Sequence, residues 1–231
     1  PDQSDMDTYF ANLTMNWRDT PIGDITSITG YKEFQLVEYT DQDGTPLFLL
    51  DTFRDTKAWQ FSQELRTFVQ IGERFEAIIG GYYQKTHYDH IQVLRLPGLG
   101  LVNIRQANPQ DQDQEAISGF AQGYYDITDD LRLQAGIRYT HESTKMAAEL
   151  NRYGGTDGFF GGTFIPELSI SAGGKKSWDN VGWKLGLDYQ ITDDHLAYGT
   201  WARGFKSGGF SGRIGVPQDV GPFDPEYVDT F

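Results

Sequence analysis

Apolar residues recur at every second position through most of the chain, and polar turns break the alternation at regular intervals. In 181–190, Val181, Trp183, Leu185, Leu187 and Tyr189 fall on one side, with Gly182, Lys184, Gly186, Asp188 and Gln190 on the other. Period two with large apolar residues on one side describes a β-strand with one face in an apolar medium. The stretch 131–140 repeats the design, Leu131, Leu133, Ala135, Ile137 and Tyr139 opposing Arg132, Gln134, Gly136, Arg138 and Thr140. Near the start, Tyr9, Ala11, Leu13, Met15 and Trp17 alternate with Phe10, Asn12, Thr14, Asn16 and Arg18. In 60–69, Gln60, Ser62, Glu64 and Arg66 share a polar side opposite Phe61, Leu65 and Val69, and Phe75, Ala77, Ile79, Gly81 and Tyr83 form a further stripe. Three stretches, 24–39, 114–126 and 195–210, are rich in β-formers, yet their faces separate less cleanly. In the last of them Leu196, Tyr198, Thr200 and Ala202 are expected on the apolar side, against Trp201 and Arg203. The pattern predicts eight strands, and 225–231 reads as the opening of a ninth.

The gaps between these strands alternate strictly. Tight connections at 19–23, 71–74, 127–130 and 191–194 take turns with long polar ones at about 40–55, 88–113, 147–176 and 211–223. A soluble β protein has no reason to gather every long loop at one end of its strands, whereas short turns at one end and long loops at the other are the rule for outer-membrane barrels. Tyr125-Asp126-Ile127-Thr128-Asp129-Asp130 recurs as Tyr189-Gln190-Ile191-Thr192-Asp193-Asp194, each copy joining two strands of an up-and-down meander. The aromatics follow the same rhythm. Trp17, Phe75, Tyr125 and Tyr189 sit beside tight turns, and Tyr9, Tyr83 and Tyr139 lie toward the long-loop ends. Two aromatic belts flanking an apolar band match the two lipid–water interfaces.

Composition changes the picture little. Mean hydropathy is −0.51, far from the ~20 consecutive apolar residues that a spanning helix needs, but a barrel strand puts lipid-facing residues only at alternate positions. The formal charge of −14 disfavours nucleic acid as a partner. Among the 231 residues there is no cysteine, so no disulfide scaffold is expected.

Gln60-Phe61-Ser62-Gln63-Glu64-Leu65-Arg66, Gly119-Phe120-Ala121-Gln122, Gly136-Ile137-Arg138-Tyr139-Thr140, Ala197-Tyr198 through Gly204-Phe205-Lys206-Ser207-Gly208-Gly209-Phe210, and Phe223-Asp224-Pro225-Glu226 together resemble barrel segments of TonB-dependent outer-membrane receptors. The resemblance implies a transmembrane β-barrel, usually of twenty-two strands and plugged by an N-terminal domain. It further implies residence in the bacterial outer membrane. A TonB-type periplasmic energy-coupling protein would drive import of a small-molecule cargo such as a ferric siderophore, haem, a vitamin or a glycan. Residues 1–231 are expected to be one part of that barrel, about a third of it, since no plug, coupling segment or signal peptide is recognisable. Inward charges agree with a wide lumen: Arg18, Glu64, Arg66, Arg132, Arg138, Lys184 and Arg203 would crowd an eight-stranded barrel.

Nothing reads as an active site, and no cofactor is implied. The candidate cargo contacts are His87 and His90 at a strand end entering a long loop, Phe159 and Phe160 in the glycine-flanked loop of 147–176, and Lys206 at the outer end of the last full strand. Glu64, Arg66, Arg138, Lys184 and Arg203 are expected to be lumen-facing structural charges. Asp41-Gln42-Asp43-Gly44 holds only a fragment of a calcium loop. A passive porin-like channel and a soluble carbohydrate-binding β-sandwich are the alternative readings.

Overall fold

The computed structural model describes residues 3–42, 44, 50–95, 104–155 and 158–231. Their strands are β1 (Gln3–Thr20), β2 (Gly23–Asp41), β3 (Asp51–Ile71), β4 (Phe75–Arg95), β5 (Ile104–Asp126), β6 (Leu131–Gly154), β7 (Thr163–Phe164), β8 (Ile170–Thr192), β9 (His195–Lys206) and β10 (Glu226–Thr230). All pair antiparallel in a single sheet ordered as in the chain, except that the two-residue β7 pairs with β6 alone. No second sheet faces the first among the described residues, which removes the sandwich reading. The tight turns fall where the sequence places them. Gly72 closes the β3–β4 turn at φ +64, a conformation open to glycine at little cost.

The register joins the apolar stripes of successive strands into one face. Phe75 lies opposite Tyr125, Tyr125 opposite Leu133, and Leu133 opposite Leu187. Leu65, Ile79, Ile137 and Leu185 on that face remain 47–57% exposed, so no protein layer covers it. On β4 the stripe from Phe75 to Tyr83 is nine residues, ~26 Å of strand, close to the ~25 Å apolar band of an outer-membrane barrel. The opposite face is polar: Glu64, Tyr82, Ser118 and Thr140 form one cross-strand row, and Arg66, Gly80, Phe120 and Arg138 the next.

The strands do not stop at the aromatic belt. They run 18 to 24 residues from β1 to β6, and 23 in β8. Beyond the band the formerly apolar face turns polar, with Lys85 bonded to Glu115 across β4–β5 at 3.3 Å and His141 to Asp179 across β6–β8 at 2.8 Å. Most of what the sequence assigns to the first three long loops is therefore strand. The connections narrow to the residues between Asp41 and Asp51, Arg95 and Ile104, and Gly154 and Ile170, of which 43, 45–49, 96–103 and 156–157 lie outside the described set. Asp43, of the calcium-loop fragment, is among them.

This outer extension carries a small apolar core on each side, each closed by a returning loop. On the polar-face side Met146, Ala148 and Leu150 pack with Ile214 and Val220 of the β9–β10 connection. On the other side Phe53, Val93 and Ala107 are covered by Tyr39, Tyr153 and Phe159, the last from the β6–β7 connection. Burying apolar area on both faces explains how a sheet so far from the membrane band stays ordered.

Candidate ligand-binding recess

At the outer end of the polar face, β2–β5 and the β9–β10 connection enclose a recess of about 420 Å³. Its floor is built by alternation. Gln106, Asn108, Gln110, Gln112 and Gln114 occupy every second position of β5, so all five amides leave the same face. Asn108 lies opposite Gln92 of β4, and Gln92 opposite Arg54 of β3, which brings a guanidinium into the same row. The far wall is 212–219. Gly212 lets the loop lie close there, because a Cβ would stand 2.0 Å from Gln110 Oε1 and push that side-chain end aside.

Within the recess Gln106 Nε2 donates to Asn108 Oδ1 at 3.3 Å, and Asn108 Nδ2 donates to the Glu149 carbonyl at 3.4 Å. The Gln92 and Gln110 amides and the Arg213 guanidinium make no hydrogen bond or ion pair among the described residues. Arg54 meets Glu38 at 3.8 Å. Asp219 also lines the recess, its Oδ2 accepting from the Gly215 and Val216 amides at 2.8 and 2.9 Å, and those N–H donors hold its carboxyl below the ordinary range. His90, one row inward, bonds Thr56 Oγ1 at 2.7 Å, and burial followed by the nearby Arg54 pushes its pKa down. Two guanidiniums therefore reach the recess, Arg54 beside Glu38 and Arg213 without an ion pair among the described residues, together with the Asp219 carboxylate, in a chain whose net charge is −14.

The predicted contacts are not gathered here. His87 and His90 both lie inside β4, three positions apart, and so leave opposite faces. His87 stacks on Trp59 and bonds Asp113 at 3.0 Å on the side continuous with the apolar face, so the two rings do not share a ligand. Phe159 and Phe160 pack on that same side, against Phe53 at 6.1 and 5.3 Å between ring centroids, with Arg95 over the Phe159 ring at 4.4 Å. Both rings are across the wall from the recess. Lys206 ends β9 opposite Glu226, exposed. Among the described residues no three metal-binding side chains converge.

Of the structural charges, Glu64 and Arg66 pair at 3.1 Å on the polar face. Arg138 donates to Ser118 Oγ at 3.0 Å beneath the Tyr82 and Phe120 rings, and Lys184 stands between Gly136 and Ala202. Arg203 is the exception. It lies opposite Trp183, on the apolar face, and holds Asp229 through two bonds of 2.8 and 2.7 Å. The cause is a bulge. Thr192 pairs with His195, but Gln190 pairs with Leu196, a one-residue slip that exchanges the two faces of all of β9. Trp201 accordingly meets Trp183 edge-on at 4.6 Å, while Tyr198 and Thr200 point to the polar side.

A single long antiparallel wall, apolar on one face and polar on the other with a recess at its outer mouth, defines a segment of a large membrane β-barrel of receptor type. Residues 1–231 match the family model described as TonB dependent receptor-like, beta-barrel, and the chain belongs to that family, one of outer-membrane barrels. No curated protein matches it in sequence. Its fold is similar to that of the ferric yersiniabactin uptake receptor FyuA from Yersinia pestis (17% identity, TM-score 0.78), covering 97% of this chain and 32% of that one. It is also similar to the closed form of the ferric-catecholate import receptor Fiu from K12 E. coli (14%, 0.64; 89% and 34%) and to the siderophore receptor PiuA from Acinetobacter baumannii (15%, 0.57; 89% and 33%). The chain spans about a third of the length of these structures.

Proposed function

We propose that residues 1–231 are part of a single plugged barrel that serves as an outer-membrane receptor for energised uptake of a scarce nutrient, a ferric siderophore being the cargo class. The observation that carries the reading is the two-faced wall: an uncovered apolar face of membrane height on one side, and on the other a polar lumen face that opens outward into an amide-lined recess. The family match and the likeness to three siderophore receptors support the same reading. In this account the apolar face meets outer-membrane lipid, and a TonB-type periplasmic protein supplies the energy through a segment outside this chain. Cargo is captured on the lumen side of the outer extension, with the β9–β10 connection as one wall. The β6–β7 connection, held on the opposite side, serves the wall's own stability.

The test is accumulation of iron-55 chelates by iron-starved cells that carry or lack the receptor gene. Uptake is expected to require the receptor and to collapse when a protonophore dissipates the inner-membrane gradient. Receptor-dependent uptake that survives the protonophore would point to the passive, porin-like channel instead.

A further inference from the structure

The chemistry of the recess narrows the cargo. Amides supply donors and acceptors side by side, and arginine presents a planar fork matched to carboxylates. Gln92, Gln110 and Arg213 leave those groups without partners among the described residues, while Asn108 is 7% exposed and fixed in place, so the lining is a set of directed polar groups on a rigid strand ladder. Among the described residues no aromatic ring lines it. At the same height Tyr39, Phe53, Tyr153 and Phe159 are all committed to the opposite side of the wall. Among the described lining residues a cargo with planar aromatic groups finds no stacking partner, and a cargo with carboxylate and carbonyl oxygens finds both arginines and amides.

We infer that the recess binds a hydrophilic, non-aromatic ferric chelate of the hydroxycarboxylate type, its outer carboxylates meeting Arg54 and Arg213 and its carbonyl or hydroxyl oxygens meeting Gln92 and Gln110. This rests on the siderophore-receptor reading above. It accounts for an amide-lined pocket that holds two guanidiniums, that of Arg213 unpaired among the described residues, in a strongly acidic chain, and for the glycine at 212 that lets the loop lie against Gln110. His90, kept neutral beneath the recess, adds no charge of its own at neutral pH.

Equilibrium dialysis of the intact, detergent-purified receptor tests this, with iron-55 citrate and an iron-55 tris-catecholate as the two probes. Citrate is expected to bind in preference. Arg213→Ala and the double variant Gln92→Leu/Gln110→Leu are each expected to weaken it at least about tenfold, since a hydrogen bond to a charged group contributes about that much or more. Lys85→Ala, on the other side of the wall, serves as the unchanged control. Heat-modifiable migration on gels shows that each variant is folded. Preferred binding of the catecholate, unaltered by the recess variants, would overturn the inference and leave the receptor reading standing. Failure of both ferric probes together with binding of cobalamin or an oligosaccharide would overturn the siderophore reading itself, and the inference with it.

Discussion

Asp219 shows how single residues set the shape of the recess. Its carboxylate holds 215–216 in a turn, and Asp224 ties the same connection to β8 through Lys176 at 2.6 Å and the Trp178 indole at 3.3 Å. Both carboxyls are held below the ordinary value of 3.8, Asp219 by backbone amides and Asp224 chiefly by its bonds to Lys176 and Trp178. A depressed acid stabilises the folded loop above its unfolded pKa, and the contribution is lost as pH falls through the folded value. Protection of the Ser211, Gly215 and Val216 amides from exchange, taken relative to the intrinsic rate at each pH, is therefore expected to hold at neutral pH and to fall below about pH 4, and Asp219→Asn should bring that loss of protection to neutral pH. Gly212→Val is expected to displace the Gln110 amide and weaken chelate binding in the dialysis experiment, with the barrel still folded. Little of this was legible beforehand. The amides at 106–114 keep strict period two, which is a strand signature, but Pro109 in their midst and the acidic residues between them read as a loop. Pro109 in fact sits at a gap in the β5–β6 ladder, between the Ala107–Asn151 and Gln110–Ala148 pairs.

At the scale of elements, the alternation in β1, β3, β4, β6 and β8 was enough to assign their faces, because each strand puts most of its large apolar residues on one side. β9 was misassigned because a bulge leaves no mark on composition: an unslipped hairpin from Thr192 and His195 would put Tyr198 beside Tyr189, and the observed slip puts Ala197 there. The strands' length was misjudged for a different reason. Outside the membrane both faces meet water or small local cores, so the alternation of polarity fades although the pairing continues. Two predictions belong here. Leu185→Arg, at mid-height of the apolar face, is expected to cost about 2–4 kcal/mol in denaturant unfolding from lipid vesicles, whereas Lys184→Leu on the lumen face should cost much less. Phe53→Ala removes the centre of the outer-side core, a loss of about 3 kcal/mol or more where the site does not collapse. It is expected to expose 158–165 to protease while leaving the membrane band intact, and resistance of that segment to cleavage would show that Phe159 and Arg105 hold it without Phe53.

For the whole molecule, the decisive feature is a wall in which lipid and lumen lie one residue apart along every strand. Family, fold and sequence pattern agree on it, and every functional statement above depends on it: the recess matters only if the polar face is the lumen. Residues 1–231 hold no cysteine, so a single cysteine introduced among them is a unique labelling site within this segment. The most direct measurement is the accessibility of spin labels in the intact receptor in lipid vesicles, at neighbouring positions of the band. Labels at Ile137, Leu185 and Leu187 are expected to relax with dissolved oxygen, which concentrates in lipid. Labels at Gln134, Arg138 and Lys184 are expected to be shielded from oxygen and to respond to a water-soluble nickel chelate where the lumen is wet. Alternation of the two responses along β6 and β8 would establish the wall. Equal access of the nickel chelate to both sets would contradict it, and with it the assignment of this chain's polar face to the path of the cargo.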